Sequence, residues 1–211
     1  MVTDYELALA CARTYTHIPQ NFGTEVTHVF LSQAADGTKI LAFEGTSDNT
    51  EWFIDFEAVP IEERGFHHDE LGYVHLGWWQ DVVSVSDSLL AWLAQQTGPV
   101  ACTGHSKGAA EALIFAALAK TKGFTWARVS TFGTPHPGDL KGLITSKDGK
   151  DYWNIHTVMD PVPLVPPYLG RPRLLTHVVA PSPQIELPGY VILTSHHIVN
   201  YVAALKESVP C

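Results

Sequence analysis

Residues Val100-Ala101-Cys102-Thr103-Gly104-His105-Ser106-Lys107-Gly108-Ala109-Ala110 constrain the fold more than any other stretch. A short apolar run enters a Gly-x-Ser-x-Gly turn and leaves it as a second apolar run. Val100 to Thr103 has the length and composition of a buried strand, and Ala109 to Lys120 reads as a helix apolar on every side. Two glycines flanking a serine at such a junction permit a sharp bend and a close approach of strand to helix. Ser106 is then expected at the tip, its backbone strained and its hydroxyl exposed, with the positive end of the following helix aimed at the same point.

The remaining pattern fits one layered α/β unit. The first 17 residues have helical periodicity through Leu7, Ala8, Ala10, Cys11 and Tyr15. Thr24 to Phe30 and Lys39 to Phe43 read as strands joined at Ala35-Asp36-Gly37. Residues 45–71 are mixed. Val82 to Gln96 is periodic as a helix and stops at Gly98-Pro99. Ala127 to Phe132 and Tyr152 to Met159 read as strands, as do Arg173 to Val179 and Gln184 to Leu187, and Ser195 to Glu207 reads as a closing helix. Trp78 and Trp79 are expected in the core. Strands alternating with helices predict a mostly parallel central sheet with helices on both faces. The 211 residues show no internal repeat and no dividing linker, so a single domain over 1–211 is expected.

Composition narrows the function. With 13 Lys+Arg against 22 Asp+Glu the formal charge is −9, the wrong sign for a nucleic-acid groove or an anionic-membrane anchor. No apolar run is long enough to cross a bilayer. The acidic start, Met1 to Glu6, lacks the basic and apolar pattern of a secretory leader. A cytoplasmic location is therefore expected, or a secreted one if a leader has been removed. Three cysteines, Cys11, Cys102 and Cys211, are too few for a disulfide scaffold. They are expected as free thiols, with a Cys11–Cys102 bridge as the alternative. His67-His68-Asp69-Glu70 and His75 lack the i, i+4 pair of a helical zinc site and are expected to form a solvated polar loop.

A serine hydroxyl becomes nucleophilic when a histidine takes its proton and an acid holds that histidine. Following a Gly-x-Ser-x-Gly bend, the chain order is serine, acid, histidine. Asp160 ends a strand ahead of Pro161-Val162-Pro163, which places it at the carboxyl edge of the sheet with Ser106. Asp139 is the second candidate. His177 falls inside a strand, whereas His196 and His197 stand at the start of the last helix, from which either imidazole could reach Ser106.

The chain resembles the class 3 lipases, the fungal-type triacylglycerol lipase and feruloyl esterase family of α/β-hydrolase fold. The likeness is carried by Leu41-Ala42-Phe43-Glu44-Gly45-Thr46, by Trp52 within Asn49 to Asp55, and by Val74-His75-Leu76-Gly77-Trp78. It continues through the bend at Thr103 to Gly108, then Thr131 to Gly138, Asp160 to Pro167, and His196 with Tyr201. The resemblance implies Ser106 as nucleophile, Asp160 as orienting acid and His196 as base. It implies Thr46 and Lys107 as the oxyanion donors through their amides, and a short lid at about 47–57 in which Trp52 and Phe53 meet substrate. It implies no cofactor and no metal. The implied partners are a small-molecule or lipid ester and, transiently, a lipid interface.

Two positions depart from the family pattern. Lys107 follows the serine where leucine is usual; its ammonium is expected either to reach solvent or to disfavour long apolar acyl chains. Glu44 stands where arginine is usual, which removes or reverses an ion pair. The expected activity is carboxylic-ester hydrolysis through an acyl-enzyme. Thioester hydrolysis or acyl transfer by the same three residues, and a silent binding module, are the alternatives.

Overall fold

Strand Lys39–Phe43 shows how the molecule is layered. Leu41 and Phe43 belong to one buried cluster, Ile40 and Ala42 to another. Successive side chains of a strand point to opposite faces, so this strand is covered on both sides. The computed structural model describes residues 1–16, 19–46, 65–141, 152–157, 160, 162–164, 175–179 and 196–207.

Nine strands and four α-helices are found among the described residues. In chain order they are α1 (Asp4–Thr14), β1 (Phe22–Gly23), β2 (His28–Gln33), β3 (Lys39–Phe43), β4 (Gly65–His68), β5 (Gly72–His75) and α2 (Leu76–Leu93). There follow β6 (Val100–His105), α3 (Lys107–Thr121), β7 (Arg128–Phe132), β8 (Tyr152–Thr157), β9 (Leu175–Val179) and α4 (Ile198–Glu207). Seven strands form one sheet in the order β1-β2-β3-β6-β7-β8-β9. The pairs from β3 to β9 are parallel, and β1–β2 and β2–β3 are antiparallel. This is the expected α/β-hydrolase layout, mostly parallel and covered on both faces.

Helices α2 and α3 lie with one cluster, α1 and α4 with the other. Helix α3 is buried at every position from Gly108 to Ala119, as its all-round apolar sequence demands. Helix α1 starts with a reciprocal cap, Glu6 N–H to Thr3 Oγ1 at 3.2 Å and Thr3 N–H to Glu6 Oε2 at 2.9 Å. Its Asp4 takes both Arg128 Nε, at 2.7 Å, and Nη2, at 2.6 Å, from β7, which pins this helix to the sheet.

Several boundaries differ from expectation. The strand expected over 24–30 runs over His28–Gln33. Thr24 instead closes a turn, its Oγ1 accepting the Val26 and Thr27 amides at 3.3 Å and its amide bonding the Thr27 carbonyl at 2.9 Å. Helix α2 starts at Leu76, not at 82. His75 caps it by accepting the Trp78 amide on Nδ1 at 3.3 Å, a capping residue outside the usual Ser, Thr, Asp and Asn. Trp78 is buried and Trp79 packs against the same cluster. His67 and His68 lie in the β4–β5 hairpin rather than in a loop. The strand expected over 184–187 lies outside the described residues, as does Cys211. Cys11 and Cys102 are free and buried. Cys11 contacts Thr103 Oγ1 at 3.2 Å, on the sheet face opposite the cluster that holds Cys102, so the alternative bridge is not formed.

Candidate active site

Ser106 sits between β6 and α3 with φ 57° and ψ −129°. Among the described non-glycine residues, Leu140 alone shares a positive φ, a conformation costing on the order of 1–3 kcal/mol that only surrounding structure can hold. The Ser106 amide bonds the Phe132 carbonyl at 3.1 Å, which fixes the bend to the end of β7. The flanking glycines are needed for approach. A Cβ on Gly104 would strike the Gly108 carbonyl, and one on Gly108 would strike the Phe43 carbonyl of β3. Helix α3 begins at Lys107; the Ala109 amide bonds the Ser106 carbonyl at 2.9 Å, while the amides of Lys107 and Gly108 precede the first bond of the helix.

Asp160 and His196 meet at this bend. His196 Nδ1 lies 2.8 Å from Asp160 Oδ2, and both residues are buried. Asp160 divides its two oxygens: Oδ1 accepts the Val162 amide at 2.9 Å and starts the short 3₁₀ turn Val162–Leu164, while Oδ2 accepts from His196 and from the hydroxyl of Tyr201. Burial by itself would push this carboxyl up. The bond and charge of His196, with the bonds from Tyr201 and the Val162 amide, outweigh it and hold Asp160 below its ordinary value. Gly133 marks how near the pair lies to the bend. A Cβ there would be 2.7 Å from Asp160 Oδ2 and from His196 Nδ1, and Gly133 directly follows Phe132, the acceptor of the Ser106 amide.

Among the described residues Ser106 Oγ and His196 Nε2 have no hydrogen-bond partner and both are buried, so the serine hydroxyl is not exposed, contrary to expectation. A buried hydroxyl and a buried imidazole nitrogen without partners are costly unless a ligand or reaction step uses them. The two are not bonded to each other; contacts of this kind are commonly loose until substrate arrives. Of the two adjacent histidines, His196 is the one bonded to Asp160, and His197 is exposed. The second acid candidate, Asp139, is occupied in structure: its Oδ2 accepts the Tyr73 amide of β5 at 3.2 Å.

The family model described as Lipase (class 3) matches residues 40–169, more than half of the chain. The chain belongs to the class 3 lipase family. Among solved structures it is similar to the Rhizomucor miehei lipase in its propeptide complex, with a TM-score of 0.66 and 19% identity over 84% of this chain and 65% of that one. Lipase II from Rhizopus niveus gives 0.57 and 22%, over 69% and 59% of the two chains. A Yarrowia lipolytica lipase gives 0.56 and 20%, over 81% and 67%. This class 3 lipase domain thus spans about two thirds or less of the length of the first and second of these. No curated protein matches it by sequence.

In this lipase-family chain, Thr46 and Lys107 line one cavity of about 520 Å³, together with Thr14, Gln20, Glu25, Val26, His28, Phe30, Glu44 and Gly45. Both expected oxyanion positions therefore border one space at the carboxyl end of β3. Residues 47–57, with Trp52 and Phe53, lie outside the described residues. Glu44, in place of the family's arginine, lies 2.6 Å from His28 Nδ1, so a carboxylate–imidazole contact occupies this position. Lys107 does not extend into solvent, nor is its ammonium free to meet an acyl chain. Its Nζ donates to the Val26 carbonyl at 2.7 Å and pairs with Asp81 and Glu111. Among the described residues no three His, Cys, Asp or Glu side chains converge as a metal site.

Two residues near the site were not assigned a role from sequence. Tyr201 bonds Asp160; its place five residues after His196 was visible, but not what its hydroxyl reaches. His105, the variable position of the motif, stacks on His196 and bonds its carbonyl. Motif notation hides such a residue because its partners lie far away in the chain.

Proposed function

We propose that the protein is a serine carboxylic-ester hydrolase acting through Ser106, His196 and Asp160. The observation that carries this is the pairing of His196 Nδ1 with Asp160 beside a strained serine, while Ser106 Oγ and His196 Nε2 are both buried and without partners.

In this reading Asp160 stays ionised and accepts the proton-bearing Nδ1 of His196, which leaves Nε2 unprotonated and able to act as base. His196 takes the hydroxyl proton as Ser106 Oγ attacks the ester carbonyl. The carbonyl oxygen gains negative charge and is bound by the amides of Lys107 and Thr46, the first of these at the positive end of α3. His196 then returns the proton to the departing alcohol, leaving Ser106 acylated. Water, deprotonated by the same imidazole, releases the acid and restores the serine. Membership of the class 3 lipases and the cavity at Thr46 and Lys107 support this sequence of steps.

A fluorophosphonate probe tests the reading. Covalent labelling at Ser106, with turnover of a short p-nitrophenyl ester, is expected. A well-folded protein that neither labels nor hydrolyses any ester is a binding module instead. A chain-length series run with and without a lipid interface separates esterase from lipase behaviour.

A further inference from the structure

Beneath the expected oxyanion position lies a charged cluster that the steps above do not use. Lys107 Nζ is 3.0 Å from Asp81 Oδ2 of α2 and 3.0 Å from Glu111 Oε1, one turn along its own helix. It also donates to the Val26 carbonyl, in the turn before β2. The side chains are largely withdrawn from water, with Lys107 17%, Asp81 20% and Glu111 0% exposed. The Glu111 carboxyl meets both the Lys107 ammonium and the Asp81 carboxyl. Lys107 thus binds the first turn of α3 to α2 and to the turn that lines the cavity at Thr46.

Two carboxylates share one ammonium. With both ionised the cluster is net negative in a place with little water, and the wholly buried Glu111 is the group that takes up a proton most readily. Burial pushes Glu111 up to about 8; attraction to Lys107 opposes this, and repulsion from Asp81 adds to it. Of the other ionisable groups on elements packed against α3, Asp87 of α2 and Lys39 of β3 are exposed, and the rest are engaged elsewhere. Glu44, beyond the end of β3, binds His28. Arg128 of β7 binds Asp4. On β6, the thiol of Cys102 donates to the Ala112 carbonyl, and the His105 imidazole is held between Tyr15 and His196.

We propose that Glu111, acting through Lys107, is a positioning residue that tunes the oxyanion hole. With Glu111 neutral, the cluster carries no net charge and the Lys107 amide binds the developing oxyanion at full strength. With Glu111 ionised, a buried negative charge one helical turn away opposes that oxyanion. This rests on the proposed role of Ser106 and the Lys107 amide. Like charges at such a separation in a partly dry site change a rate on the order of tenfold. Acylation is therefore expected to fall on the alkaline side as Glu111 ionises.

The test is the pH dependence of fluorophosphonate labelling, and of kcat/KM on a short p-nitrophenyl ester, for the native protein, Glu111→Gln and Asp81→Asn. Glu111→Gln is expected to keep the native rate on the neutral side and to lose the alkaline fall, about tenfold in the native protein. Asp81→Asn removes a charge that discourages Glu111 ionisation, so its fall is expected at lower pH. A Glu111→Gln profile that retains the native alkaline fall overturns the proposal. So does an Asp81→Asn profile that is unmoved or moves upward, which also decides the matter if Glu111→Gln does not fold. Labelling at Ser106 with unaltered profiles sinks this inference alone. No labelling of the native protein at any pH sinks the hydrolase reading and this inference together.

Discussion

The imidazole of His105 lies against that of His196, ring centroids 4.6 Å apart and planes 29° from parallel, and its Nε2–H donates to the His196 carbonyl at 2.6 Å. A carbonyl can only accept, so the proton is on Nε2. Burial first, and the neighbouring His196 second, lower His105 to about 3, so it is neutral and its Nδ1 is an acceptor. The hydroxyl of Tyr15 fills that acceptor at 2.8 Å, and the same hydroxyl is bonded by the Gly45 backbone. A chain of contacts therefore runs from the cavity edge at Gly45 through Tyr15 and His105 to the backbone of the proposed base.

Tyr15→Phe keeps the ring and removes the hydroxyl that donates to His105 Nδ1. A neutral hydrogen bond contributes about 0.5–1.5 kcal/mol. A fall in kcat of roughly threefold to tenfold is expected, with KM little changed. Equal changes in KM and none in kcat would show that Tyr15 only packs.

Ser106→Ala removes the atom proposed to carry the acyl group. Loss of kcat on a short p-nitrophenyl ester on the order of 10⁴-fold or more is expected. The methyl group costs little in stability, since the hydroxyl it replaces has no partner. Near-native turnover in this variant would move the nucleophile elsewhere.

The two adjacent histidines make a paired comparison. His196→Ala is expected to be near-inactive, because it removes the only imidazole bonded to Asp160 among the described residues. His197 is exposed, and His197→Ala is expected to keep most activity. Steady-state assays of the two purified variants check this, and the reverse outcome would transfer the role of base to His197.

Tyr201→Phe takes one donor from Asp160, a bond to a charged group contributing about 1.5–3 kcal/mol. Asp160 is held below its ordinary value in the folded protein. Its contribution to stability is thus fully present above the unfolded carboxyl value and is lost as pH falls through the lower folded value. Without Tyr201 the folded value rises towards the unfolded one, so the acid loss of stability should be smaller and should be complete at higher pH. Urea unfolding midpoints across the acid range measure it; identical acid limbs for the two proteins would refute it.

The bend at Ser106 was legible because it is local. Two glycines, one serine and two apolar flanks act within eleven residues, and backbone sterics at that range do not depend on what packs nearby. Asp160 was legible for the same reason, as a strand-ending acid before a proline, and its Oδ1 does start the following turn. The hairpin of β4 and β5 was not, since its four-residue strands are too short for a period to stand out. The start of α2 was missed because a histidine caps it.

The choice between His196 and His197 belongs to another range. Asp160 and His196 are 36 positions apart, and adjacent residues at a helix start differ in direction, so only the docking of α4 on the sheet decides which imidazole turns inward. The Lys107 ammonium is settled similarly, by a carbonyl 81 positions earlier and by Asp81 on a different helix. The chain by itself determined the layered α/β class, the serine bend and the residue types able to serve it, because dihedral preference and apolar periodicity are properties of neighbouring residues. Tertiary structure decided which histidine pairs with the acid, where the lysine charge goes and what holds the base in place, because those depend on distances that exist only once distant segments pack together.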